Sequence, residues 1–104
     1  CLGDIGKHFP NTDNSYLDID SKILLAKTYE LINSKGYAVV NIDSTVCLEN
    51  PKIMKFVPEM QEAIAEILKI SVDDISIKAT TTEKMGFAGR EEGLVAYATV
   101  LLSK

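Results

Sequence analysis

Seven consecutive residues, Lys78-Ala79-Thr80-Thr81-Thr82-Glu83-Lys84, set three hydroxyls directly ahead of a carboxylate. Hydroxyls and exposed backbone N–H groups hold phosphate oxygens, and a carboxylate shares a hard cation such as magnesium with those oxygens. The pattern suits a phosphorylated small molecule bound with a divalent ion. The same residues also read as an ordinary strand, because threonine favours strands, with Glu83 as a solvated loop acid.

Charge and cysteine usage narrow the chemistry further. The 104 residues carry 11 Lys and Arg against 15 Asp and Glu, and no stretch concentrates the basic ones as a reader of nucleic-acid backbones does. A nucleic-acid partner is therefore not expected. Cys1 and Cys47 have no CxxC spacing, and His8 is the single histidine, which excludes a zinc finger and suggests reduced thiols rather than a disulfide framework. No apolar run approaches the ~20 residues of a membrane span, and no signal peptide opens the chain. We expect a soluble, intracellular protein with no membrane partner.

The elements that must position these residues follow from periodicity. Residues 1–20 show no regular period and are punctuated by Gly3, Gly6, Pro10 and the run Asn11 to Ser15, which predicts a long loop and, by its length, a candidate ligand-binding segment. Asp20 or Ser21 can cap a helix in which Leu24, Leu25, Thr28, Leu31 and Ile32 recur at helical spacing, closed by Gly36. Ala38, Val40, Ile42, Val46 and Leu48 then alternate with polar residues, a strand with one face in the core. Asn50-Pro51 breaks that strand. Val57, Met60, Ile64, Ile67 and Leu68 mark a second helix with Pro58 in its first turn. Ile75, Ile77, Ala79 and Thr81 predict a second strand, and the run from Gly93 to Leu102 a third, largely buried one. The expected fold is α+β, a two-layer sandwich with helices on one face of a mixed β-sheet, as a single domain over residues 1–104.

Two stretches carry a family resemblance. Leu2-Gly3-Asp4-Ile5-Gly6-Lys7, followed by Phe9-Pro10-Asn11-Thr12-Asp13, resembles the first signature of the 2-C-methyl-D-erythritol 2,4-cyclodiphosphate synthases. Lys78 to Lys84, with Gly86-Phe87-x-Gly-Arg90 and Glu92-Gly93, resembles the second at the expected distance. The resemblance implies a homotrimer with active sites between subunits. It also implies a phosphorus–oxygen lyase of the non-mevalonate isoprenoid pathway, which cyclises a cytidine-diphosphate substrate and releases CMP, using a zinc-type ion and magnesium or manganese.

Carried over by position, Asp4, Ile5 and Gly6 hold the methylerythritol end, and the loop Phe9, Pro10, Asn11, Thr12 and Asp13 closes over it. Leu48, Glu49, Asn50, Pro51, Lys52, Ile53 and Met54 align with the cytidine-binding loop. Ala79, Thr80, Thr81 and Thr82 take the nucleotide phosphates, Thr81 supporting the transition state, while Glu83 binds the magnesium-type ion and Phe87 and Arg90 complete the pocket. The cellular place implied is the cytoplasm, or the plastid for a plant or alga.

Some positions depart from the family pattern. Asn11 stands where an acid is usual, His8 where the position is usually apolar and so is expected at the surface, and Tyr97 where many members place an acid near the trimer axis. The family's zinc-type site uses an Asp-x-His pair and a further His ahead of the first signature, and the chain offers no equivalents. We therefore expect an N-terminally incomplete domain, inactive as it stands. The alternative is a noncatalytic cytidine-nucleotide-binding or assembly module without the zinc-type site.

Overall fold

The computed structural model describes residues 2–104; Cys1, and the thiol expected there, lie outside the described residues. Cys47 is a free thiol. Among the described residues, four α-helices and three strands follow in the order α1 (Ile5–His8), α2 (Ser21–Asn33), β1 (Ala38–Cys47), α3 (Val57–Leu68), β2 (Ile75–Thr80), α4 (Gly86–Gly89) and β3 (Val95–Ser103), with 3-10 turns at Asn14–Tyr16, Met54–Phe56 and Val72–Asp74.

The predicted helix starts and stops hold. Asp20 caps α2 by accepting from the Lys22 N–H at 2.8 Å. Gly36, at φ +83°, turns the chain out of α2 into β1, a conformation that costs glycine little. Pro58 sits in the first turn of α3, where its missing N–H is no loss.

The sheet is mixed, in the order β2-β1-β3. β1 and β2 run parallel from Ile42 opposite Ile75 to Cys47 opposite Thr80, and β1 and β3 run antiparallel. α3 packs on β2 and α2 on α3. The core is small: Ala65 of α3 meets Ile75 and Ile77 of β2, with Val57, Met60, Ile64 and Ile70 packed around them. Gln61 ties the two elements by donating from Nε2 to the Ile75 carbonyl at 2.6 Å.

Four expectations are corrected. The loop over residues 1–20 contains α1 and the Asn14–Tyr16 turn, elements too short for a 3.6-residue period to register. The alternation predicted for β1 slips by one residue, because the register shifts between Val39 and Asn41. Val39 is buried and Val40 exposed, as expected when an extra residue reverses which side chains face the core. The third strand is not buried: β3 lies at the sheet edge, and Tyr97, Val100, Leu101 and Leu102 are exposed. Its apolar run has the composition of an interior strand, but β1 is the neighbour it packs on. His8 is half-buried, with Nε2 donating to the Leu2 carbonyl at 2.8 Å, rather than lying free at the surface.

Candidate functional site

Parallel pairing of β1 and β2 brings the two strand ends out side by side, and the segments that leave them form a cleft. The Leu48 N–H continues the ladder by donating to the Thr80 carbonyl at 3.0 Å. Beyond that bond a cavity of about 150 Å³ opens, lined by Leu48 and residues 51–54 on one side and by Ala79, Thr80 and Thr81 on the other. Most of the proposed cytidine loop thus faces two of the three threonines. The Asn50–Pro51 peptide bond at its rim is cis.

The other candidates of this group have partners just outside the lining. Glu49 Oε1 accepts from the Thr82 N–H at 3.2 Å and the Lys84 N–H at 3.0 Å, with the Thr82 hydroxyl 3.4 Å away. Its carboxyl is held below the usual range, first by the Lys84 N–H, against some desolvation, and further by the Thr82 groups and the charge of Lys52. Asn50 donates from Nδ2 to Glu91 Oε1 at 2.6 Å, and the Thr82 hydroxyl also reaches the Met85 carbonyl at 2.6 Å.

Glu83 stands exposed at the apex of a turn in which it and Lys84 both adopt left-handed backbone, φ +52° and +65°. Its N–H donates to Thr81 Oγ1 at 3.3 Å, and the Thr81 hydroxyl lies 3.5 Å from Glu83 Oε1. Hydroxyl and carboxylate therefore face the same space. Magnesium commonly takes one or two carboxylates together with substrate phosphates, so Glu83 fits a magnesium-type ion. Among the described residues, no three of His, Cys, Asp and Glu gather as a zinc-type site requires. These residues do not fit that second ion.

The residues assigned to the methylerythritol end are placed separately and contribute nothing to the lining of the cleft. Asp4 caps α1, with Oδ1 3.4 Å from the Gly6 N–H, and Ile5 and Gly6 open that helix, exposed. Phe9 packs edge-to-face on Tyr16, ring centroids 5.5 Å apart. Asp13 caps the Asn14–Tyr16 turn by accepting from the Ser15 N–H at 2.9 Å, which lowers its pKa. Pro10 is half-buried, whereas Asn11 and Thr12 are exposed. Phe87 is exposed, and Arg90 pairs with Glu92 at 2.7 Å.

The YgbB family profile matches residues 1–103. The chain belongs to the YgbB family. It is 62% identical over 103 residues to the 2-C-methyl-D-erythritol 2,4-cyclodiphosphate synthase of Bacteroides thetaiotaomicron, a match covering 99% of this chain and 65% of that protein. The chain spans just under two thirds of the length of the curated relatives it matches. Among solved structures it is similar to the bifunctional IspDF of Campylobacter jejuni, with TM-score 0.92 and 40% identity over 97% of this chain and 27% of that one. It is also similar to IspF of Plasmodium falciparum, solved as a CDP complex, with TM-score 0.81 and 32% identity over 96% of this chain and 59% of that one. The family resemblance read from the two signatures is correct, and so is the α+β mixed-sheet fold. Among the described residues, no helix is long and apolar enough to cross a membrane.

Within this YgbB-family site, one residue whose part was not read from the sequence is Gly89. A methyl group there would stand 2.1 Å from the Lys84 carbonyl carbon and 2.7 Å from its Cα and oxygen, so the turn at 82–84 rests directly on the end of α4. The glycine spacing of the second signature was the available signal. The contact it protects, a backbone five residues earlier, was not visible in it. Glu91, the partner of Asn50, likewise carries no pattern that marks it.

Proposed function

We propose that the protein carrying this chain is a 2-C-methyl-D-erythritol 2,4-cyclodiphosphate synthase. It converts 4-diphosphocytidyl-2-C-methyl-D-erythritol 2-phosphate into the 2,4-cyclodiphosphate and releases CMP. The supporting observation is the cleft in which residues 48–54 meet Ala79, Thr80 and Thr81, with Glu83 at its edge.

In the proposed reaction the substrate's own 2-phosphate oxygen attacks the β-phosphorus. A phosphorus–oxygen bond forms there, and the bond from the β-phosphorus to the bridging oxygen breaks, its electron pair leaving on CMP. No protein nucleophile is required. The protein's part is to hold the two phosphates in line and to neutralise their charge.

The 48–54 loop takes the cytidine, with backbone groups around Pro51 and Lys52 available to the base and the apolar Leu48, Ile53 and Met54 beside it. Thr80, Thr81 and Thr82 border the diphosphate, the Thr80 and Thr81 hydroxyls donating to it while the Thr82 N–H stays on Glu49, and the Thr81 hydroxyl donates as charge develops on the transferring group. A magnesium-type ion held by Glu83 supplies charge neutralisation when bound. The described residues do not provide the ligands of a zinc-type ion.

Asp4, Ile5, Gly6 and the loop Phe9–Asp13 hold the methylerythritol end, with Phe87 and Arg90 completing the pocket. Because the Asp4–Asp13 segment lies outside the cleft, the complete site is assigned to the junction of neighbouring subunits in a homotrimer. The exposed apolar residues of β3, including Tyr97 and Leu101, support such an assembly. We place the enzyme in the cytoplasm.

Incubating the full-length protein with this substrate and magnesium tests the assignment, with CMP release and the cyclic diphosphate followed by phosphorus NMR. Both products should appear together. A trimeric protein that binds CDP yet releases no CMP would be a noncatalytic nucleotide-binding module, and the enzymatic assignment would fall.

A further inference from the structure

Glu49 makes two of the hydrogen bonds that hold the 82–84 turn through a single oxygen, one from each residue beside Glu83. The Thr82 N–H approaches from one side and the Lys84 N–H from the other, with the Thr82 hydroxyl 3.4 Å from the same oxygen. These residues are 33 and 35 positions away in the sequence, so the contact is made by the fold and not by the local chain.

The geometry it holds is not one the turn adopts freely. Two successive residues with side chains, Glu83 and Lys84, sit at positive φ, a region costly for anything but glycine and stable only where the surroundings enforce it. In that conformation the two N–H groups flanking Glu83 converge on Glu49, while the Glu83 side chain faces the Thr81 hydroxyl. Glu49 remains ionised because those donors, Lys84 first, favour its charged form.

We infer that Glu49 is a positioning residue that fixes the 82–84 turn so that the Glu83 carboxylate and the Thr81 hydroxyl present themselves to the same ion-bound phosphate, a role that rests on Glu83 holding the ion as proposed above. Glu49 acts through the backbone of residues 82 and 84. Its oxygen need not touch the ion.

The test uses manganese as the probe ion, in the presence of CDP, on the full-length protein and its Glu49→Ala, Glu49→Gln and Glu83→Gln variants. Manganese affinity is read by electron paramagnetic resonance, and amide exchange at Thr82 and Lys84 by NMR. Glu49→Ala should weaken manganese binding about tenfold, the low end of what loss of a supporting partner costs a metal site, and should accelerate exchange at both amides. Glu49→Gln keeps an acceptor oxygen in the same place and should restore most of both. A merely structural role would lower the melting temperature without moving manganese affinity. If Glu49→Ala leaves manganese affinity intact while Glu83→Gln reduces it, the positioning role is overturned. If Glu83→Gln also leaves it intact, the metal assignment of Glu83 falls, and the positioning role with it.

Discussion

The turn at 82–84 and the rim of the cleft are tied to partners 33 to 41 residues away, through Glu49 and the Asn50–Glu91 pair. Asp4, His8 and Asp13 bond to partners two to six residues away. Long-range ties form only after the sheet has closed the intervening chain, and the entropy of that closure is already met in the folded state. The half of the site proposed for the nucleotide is thus preorganised by the fold. The half proposed for the methylerythritol is a string of local caps, in large part exposed, whose arrangement owes little to the rest of this chain. A site divided in this way can rely on one surface for precision and on another for closure.

Gly89→Ala is the sharpest way to break the contrast. The added methyl group cannot coexist with the Lys84 backbone, and inserting a carbon into a closed contact typically costs about 1–3 kcal/mol, occasionally more. We expect a destabilisation near the top of that range in chemical denaturation, with loss of CDP binding. A comparable change in the other half, Gly6→Ala, meets Asp4 Oδ2 at an ordinary 3.6 Å and should be nearly neutral for stability. Equal effects at the two glycines would erase the distinction.

Thr81→Val retains the shape and removes the hydroxyl. Losing one donor aimed at developing charge costs on the order of a hundredfold in turnover, so CMP release should fall by about that factor with stability little changed. Unchanged turnover would leave Thr81 a plain strand-end residue. Glu83→Gln should reduce magnesium affinity by more than the roughly tenfold that loss of a supporting partner costs a metal site, without altering the fold, because Glu83 is exposed and makes no core contact. Titration of magnesium against CDP binding measures it.

How far the sequence revealed these residues depended on whether their roles were local. The Lys78–Lys84 stretch was legible because hydroxyls, acid and strand end are adjacent in the chain, and α2 and α3 were legible from apolar spacing and caps. Val40 was not, since one bulged residue reverses a period of two without changing composition. β3 was misjudged because its Val, Ala and Leu content is that of an interior strand, while burial is decided by what packs on a strand: β2 is also an edge strand, but α3 covers it. Glu49 was read as part of a base-binding loop. That its oxygen faces the 82–84 turn follows from the parallel register of β1 with β2, which no local pattern encodes.

Acid separates the two regions with the smallest expected effect. Asp13 and Glu49 both have folded pKa values below the usual range, Asp13 chiefly through the Ser15 N–H and Glu49 chiefly through the Lys84 N–H. For a carboxylate with a lowered folded pKa, the stabilisation is fully present above the unfolded value near pH 4 and is lost as pH falls through the folded value. Both groups are solvent-screened, so the change in global stability should be slight. Locally it should differ. Protonating Asp13 frees only the Asn14–Tyr16 turn, whereas protonating Glu49 frees a turn that carries Thr82, Glu83 and Lys84. Amide exchange between pH 5 and about pH 3, corrected for the intrinsic pH dependence of exchange, should show protection at Lys84 and at Ser15 declining independently. Glu49→Gln, which cannot ionise, should remove the pH dependence at Lys84 and leave that at Ser15 unchanged. If both amides lose protection together in the variant as in the parent, acid is unfolding the whole domain, and the two halves are no more separable by charge than by sequence.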